Sequence, residues 1–230
     1  MNLDLIRKDF PILETQVNGH QIVYFDNGAT TQRPLPVVNA VVDYVTHQNG
    51  NPHRGAHIFA ISASEAYDTS KEVVRDFIHA RSEKEIIYTR NTTESLNLVS
   101  RSYGETHLKK GDHILITIAE HHSNLVTWQR AAEKTGAVLD YIYIDKETGH
   151  FPEEELKKID DPRVKILAFA QVSNVLGVEF DPKPLIKRAH AHGAVVVLDG
   201  AQSTPHKQID VQDLDCDFFA FSGHKMCSMG

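Results

Sequence analysis

Two short polar segments in the 230-residue sequence carry residue types that could do chemistry. One reads Asp199-Gly200-Ala201-Gln202 and directly follows the apolar run 194–198. The other reads Ser222-Gly223-His224-Lys225 and directly follows the run 218–221. A buried carboxylate can keep a pyridine nitrogen protonated, and a lysine amine can form a Schiff base with an aldehyde. Those are two needs of a pyridoxal cofactor. Taken singly, each is weak: an aspartate after a strand equally suits a helix cap, a ribose or a metal ion, and a lone lysine is more often solvated. The two together, one crossover apart, are far more specific.

Such residues need elements to position them, and in a parallel α/β sheet the ligand crevice lies just past the strand C-termini. Apolar, β-branched runs at 86–89, 113–118, 138–144, 164–172, 194–198 and 218–221 predict strands. The run Ala194-Val195-Val196-Val197-Leu198 has no polar alternation, as expected of a parallel strand covered on both faces. Helical patterns alternate with these runs. Across 57–81, Phe59, Ala63, Ala66, Tyr67, Ser70, Val73, Val74, Phe77 and Ile78 trace one apolar face. Another helix is bracketed by Asp181 as cap, Pro182 in the first turn and Gly193 at the end. The alternation predicts βαβ units and a mainly parallel sheet with helices on both faces.

Further segments add chemistry. Thr92 and Thr93 follow the run 86–89 and open a helix, with Asn91 and Glu94 spaced as a variant capping box. A helix N-terminus seats a phosphate well, although plain capping explains the same residues. The pair His121-His122 offers flat rings that titrate near neutral pH; a solvated loop pair or a metal site are the other readings. No HExxH or CxxC accompanies the pair, so metal binding is the minor reading despite 14 histidines.

These segments resemble the class V aminotransferase-like enzymes, and among them the SufS-type cysteine desulfurases. Asp26-Asn27-Gly28-Ala29-Thr30-Thr31 is similar to that family's D-N-A-A-T-T motif, and Asn51-Pro52-His53-Arg54-Gly55-Ala56-His57 to its N-x-H-R-G-x-H stretch. Asn91 to Asn97, Glu120-His121-His122-Ser123-Asn124 and Val172-Ser173-Asn174-Val175-Leu176-Gly177 match in family order. The resemblance implies the large domain of a type I pyridoxal-phosphate-dependent transferase over 26–230, after an N-terminal segment 1–25. It implies pyridoxal 5'-phosphate as cofactor, with Lys225 as the Schiff-base residue and base for the substrate's α-proton. His122 would stack on the pyridine ring and shuttle protons, and Asp199 would hold the ring nitrogen. Gln202 would bond the phenolic oxygen with Asn174 beside it, while Thr92, Thr93, Ser222 and His224 would reach the phosphate. His53 and Arg54 would lie near the mouth of the site.

The implied reaction converts L-cysteine to L-alanine. Its sulfur would pass to an enzyme cysteine as persulfide, then to an acceptor protein of the SufU/SufE type for iron–sulfur cluster assembly, the whole enzyme being a homodimer. Selenocysteine lysis, transamination by the same family and a non-catalytic pyridoxal-phosphate-binding chain are the rival readings. A dinucleotide-binding dehydrogenase is disfavoured, since no G-x-G-x-x-G follows a strand. The family continues past the lysine with a G-P-T-G turn, an antiparallel strand between 218–221 and 86–89, and a C-terminal domain bearing the persulfide cysteine and a carboxylate-gripping arginine. Here Ser228-Met229 stand where the family has Gly-Pro. The sheet is therefore expected to be incomplete at the C-terminal end, the small domain absent, and the chain by itself inactive and poorly stable.

Composition narrows the partners. The formal charge of −7 gives no general pull toward nucleic acid or an anionic membrane. No apolar run approaches the roughly 18 residues of a membrane span. The first residues, Met1 to Lys8, lack the pattern of a secretory signal. Two cysteines, Cys216 and Cys227, argue against a disulfide framework. A cytoplasmic protein is expected.

Overall fold

The computed structural model describes residues 2–229, which fall into two compact units. One comprises the residues up to Ile87 together with those from Gly223 onward; the other is Tyr88–Ser222.

The unit Tyr88–Ser222 is built on a five-stranded sheet. Helix α4 (Thr92–Val99) opens it and short α5 (Glu105–His107) follows. Strand β3 (His113–Thr117), helix α6 (His122–Thr135), strand β4 (Val138–Ile142) and short α7 (Glu153–Leu156) come next. The unit closes with β5 (Val164–Ala170), α8 (Pro182–Ala191), β6 (Val195–Asp199), short α9 (Val211–Leu214) and β7 (Phe218–Ala220). Strand order is β4-β3-β5-β6-β7 and every pairing is parallel. The α/β class and the parallel sheet agree with the sequence pattern. Ile114, Leu115 and Ile116, and likewise Val196, Val197 and Leu198, are buried at successive positions, so both sheet faces are covered. Trp128 of α6 sits fully buried among Leu96, Ile114, Ile116, Ile166 and Val197. Helix α8 begins as predicted: Asp181 Oδ1 accepts from the Lys183 N–H at 3.2 Å, Pro182 fills N1, and Gly193 lies beyond the end at φ +76°.

The run 86–89 departs from expectation. It is extended but pairs with no strand among the described residues, and Ile87 and Tyr88 are exposed. A strand needs a neighbour's N–H and C=O groups, and no described segment supplies them.

The other unit is mostly helical. Helix α1 (Leu3–Lys8) precedes a hairpin of β1 (Gln16–Val17) and β2 (His20–Gln21). Its two-residue turn places Asn18 at φ 53° and Gly19 at φ 79°, the positive values a type I′ turn requires. Helices α2 (Leu35–Asp43) and α3 (Ile58–Phe77) follow. Helix α3 ends four residues short of the predicted 81, and its apolar face is only partly covered. Ala63 and Ile78 are buried, whereas Phe59, Tyr67, Val73 and Phe77 are exposed. The stripe exists, but among the described residues this unit's only sheet is a two-stranded hairpin, too small to lie against a 20-residue helix. Among the described residues no helix is long and apolar enough to cross a membrane.

Candidate active site

In the unit Tyr88–Ser222 the strand ends are level, because Ala170 pairs with Asp199 and Asp199 with Ala220. Asp199 therefore closes β6 at the C-terminal edge, where it is almost wholly buried and its Oδ1 accepts the Ala201 N–H at 2.9 Å. Gly200 is required next: a Cβ there would stand 2.1 Å from the Phe219 ring. The turn that follows holds Gln202, half-buried, beside buried Ser203 and Thr204.

Helix α4 begins near the end of β7. Asn91 caps it by accepting the Glu94 N–H at 3.0 Å, and Glu94 reaches back to the Arg90 N–H at 2.6 Å, a capping box displaced by one residue. The Thr92 N–H donates to Ser222 Oγ at 2.9 Å, and the two hydroxyls share a hydrogen bond at 2.5 Å. Both side chains are buried. Thr93 is exposed and gives its carbonyl to Asn97 Nδ2. The structure thus joins Thr92 to Ser222, residues 130 positions apart.

His122 is the first residue of α6 and is exposed. His121 is the cap, accepting the Ser123 N–H at Nδ1, and the two imidazoles stand edge to face with centroids 6.3 Å apart. Asn174 lies exposed in the turn after β5, a turn fixed by Ser173, whose N–H reaches the Val178 carbonyl and whose Oγ accepts from Val175 and Leu176. Two features at these strand ends were assigned no role by the sequence. Glu120 is half-buried, and burial of its carboxyl raises it to about 7. Gln171 has a buried Oε1 with no hydrogen-bond partner among the described residues. For Gln171 the sign was a polar residue following an apolar strand, and for Glu120 its place at the head of the segment that carries the two histidines.

His224 and Lys225 belong to the other unit, in the 3-10 turn Gly223–Lys225. The motif Asp26 to Thr31 holds that turn. The Thr31 N–H donates to the His224 carbonyl at 2.9 Å, and the Thr30 and Thr31 hydroxyls donate to it at 3.1 Å each. Thr31 Oγ1 also accepts the Cys227 N–H at 2.7 Å, and Arg33 Nη1 donates to Thr30 Oγ1 at 3.1 Å. Burial first, then the charges of Lys225 and Arg33, lower the His224 pKa and favour its neutral imidazole. Lys225 itself is half-buried. His53 sits on left-handed backbone at φ 58°, edge to face with Tyr67, and Arg54 is exposed. Of the thiols, Cys216 is pushed by burial up to about 12, which makes it inert at neutral pH. Cys227 lies half-buried at φ 63°.

This donor set fits pyridoxal phosphate: a buried strand-end carboxylate, paired buried hydroxyls at a helix start, and an unpartnered buried amide oxygen. The sequence comparisons point the same way. The model of the aminotransferase class-V family matches residues 23–229, and the chain belongs to that family. Within it, the chain is 49% identical over 226 residues to a probable cysteine desulfurase of Halalkalibacterium halodurans, covering 98% of this chain and 55% of that protein. It is 48% identical over 221 residues to a cysteine desulfurase of Synechococcus elongatus, covering 96% of this chain and 35% of that one. Among solved structures it is similar to the cysteine desulfurase CsdA of Escherichia coli, with TM-score 0.86, 38% identity and coverage of 99% and 55%. The apo cysteine desulfurase of Thermococcus onnurineus gives TM-score 0.88 and 41% identity, with coverage of 97% and 53%. The chain spans about half the length of most of these relatives, and of CsdA.

Proposed function

We propose that this chain is the cofactor-binding part of a cysteine desulfurase that converts L-cysteine to L-alanine. The observation that carries the reading is the pairing of Thr92 with Ser222 at the start of α4, in the same unit as a buried Asp199 at a strand end. Pyridoxal phosphate, when bound, supplies an electron sink for the substrate's α-carbon. Thr92, Thr93, Ser222 and His224 would hold its phosphate, Asp199 its ring nitrogen, and Gln202 its phenolic oxygen with Asn174 alongside. His122 would cover the ring. Lys225 would tether the cofactor, and its Nζ would take the substrate's α-proton. The neutral imidazole of His224 suits a hydrogen bond to the phosphate beside the lysine, because it adds no second cation there.

Sulfur would leave L-cysteine for a thiol, giving L-alanine and a persulfide, and would pass to an acceptor protein of the SufU/SufE type for iron–sulfur clusters. Burial makes Cys216 unsuited to receive it, and Cys227 stands on the turn of the tethering lysine, so the reading takes that cysteine from a longer, homodimeric, cytoplasmic protein. On the same ground, the 230 residues alone would release no alanine. Selenocysteine as substrate is the nearest alternative, and relative alanine release from the two amino acids distinguishes them.

The test is chemical. Protein incubated with pyridoxal phosphate and reduced with borohydride should carry the cofactor on one peptide, the one containing Lys225, and Lys225→Ala should abolish the adduct. Labelling at another lysine, or an adduct that persists in Lys225→Ala, sinks the assignment.

A further inference from the structure

Glu120 closes the turn between β3 and α6, and its carboxyl is met from three elements. From β3, Thr117 Oγ1 donates to Oε1. From β5, the Ala170 N–H donates to the same oxygen at 3.1 Å. From α6, Asn124 Nδ2 donates to Oε2 at 2.7 Å. Asn124 is fully buried and fixed in turn, since Trp128 Nε1 donates to its Oδ1 at 2.7 Å. One carboxyl thus links two strand ends to the buried tryptophan of the core. All these partners are uncharged; the charged group acting on Glu120 is Asp199 on β6, whose neighbour in the ladder is Ala170.

We propose that Glu120 is a positioning residue: its half-buried carboxyl fastens the first turn of α6, which begins at His122, to the ends of β3 and β5 beside Asp199. The consequence for a cofactor under His122 rests on the function proposed above; the anchor itself does not. A carboxylate suits the place because both oxygens accept, and three donors converge on them. Glutamine suits it poorly. Its amide must turn N–H groups toward donors on one side, and Asn124 cannot reverse without abandoning Trp128.

The anchor should respond to pH. Burial first raises the carboxyl to about 7; the hydrogen bonds from Thr117 and Asn124 oppose this, the Asp199 charge adds to it, and the Ala170 bond opposes it. Of the three partners, only Thr117 Oγ1 can accept a proton from the neutral acid; the other two are N–H donors. A folded-state pKa above the unfolded value means that the folded state binds the extra proton. The stabilisation is therefore complete at low pH and is lost as pH rises through about 7.

Trp128 is the single tryptophan of the sequence, so its fluorescence reads this network directly. In the apoprotein, emission should change with a midpoint near 7, and the change should vanish in Glu120→Gln. Between pH 5 and 8 the folding equilibrium constant of the wild type should fall, relative to that of Glu120→Gln, by about 100-fold. The NMR ring resonances of His122 should also move in the variant. If Glu120→Gln does not fold, Thr117→Val serves, because removing a bond that lowers the pKa should shift the midpoint upward. No wild-type transition, a transition surviving in Glu120→Gln, an unmoved His122 resonance, or an unmoved midpoint in Thr117→Val would each overturn the anchor. None of these readouts needs the cofactor. Failed labelling of Lys225 with an intact Trp128 transition would therefore refute the cofactor reading and leave the anchor standing.

Discussion

Helix α6 and helix α3 are both amphipathic, yet they end in opposite circumstances. In α6, Trp128 is 0% exposed and Ala131 1%, because a five-stranded sheet lies against the helix. In α3, Phe59 is 50% exposed, Phe77 48% and Val73 61%. The difference is not one of sequence pattern, since each helix repeats apolar residues at helical spacing. It is one of supply: the first unit offers a hairpin of two-residue strands where the second offers a sheet. An apolar stripe shows that a helix face wants a cover. It does not say which chain provides it.

The sharpest way to test this contrast is at a buried charged group on the sheet. Asp199 is 4% exposed and ends β6, which lies between β5 and β7. Asp199→Asn keeps the shape and removes the charge. On the proposed function, cofactor should remain bound to a full-length form through its phosphate contacts while alanine release from L-cysteine falls by orders of magnitude, because Asp199 would no longer keep the ring nitrogen protonated. Unchanged turnover would mean that Asp199 serves only to bind the Ala201 N–H and shape the turn.

The next largest effect is on stability. Trp128→Ala removes a fully enclosed side chain and frees Asn124 from its partner. Such truncations cost about 3–5 kcal/mol, a large part of a domain's stability. Urea unfolding of the folded apoprotein would measure it. A loss below about 1 kcal/mol would show that the core cluster around α6 collapses easily, and would weaken the contrast with α3.

Much of the second unit was legible in the sequence, for a physical reason. The runs at 113–118, 138–144, 164–172, 194–198 and 218–221 each became a strand of the sheet, trimmed by one or two residues or shifted by one. Continuous β-branched runs have no stable home except a sheet covered on both sides. Asp181, Pro182 and Gly193 marked α8 because a cap, a fixed φ and a positive φ each admit few residues. The run 86–89 misled because apolar content does not reveal whether a neighbouring strand exists. Glu120 was illegible because its role depends on Ala170, 50 positions away, and on Trp128 reached through Asn124. The holding of His224 by Thr30 and Thr31 spans 194 and 193 positions, and only the fold reveals it.

The smallest expected effect tests the other side of the comparison. Val73→Ser replaces an apolar side chain with a polar one on the exposed face of α3, where no hydrogen bond or ion pair engages it. Full burial of a valine is worth about 1.5–3 kcal/mol, but most of this side chain is already in water. Helix propensities of valine and serine are similar, so the backbone contributes little. The change should therefore stay within about 0.5 kcal/mol in urea unfolding of the dilute protein. If a second copy covers this face, as expected of a homodimer, the same substitution would cost more, and the cost would grow with protein concentration because association stabilises the folded state by mass action. A concentration-dependent loss above about 1 kcal/mol would show that α3 is covered in solution after all, and that the two helices differ only in which chain supplies the cover.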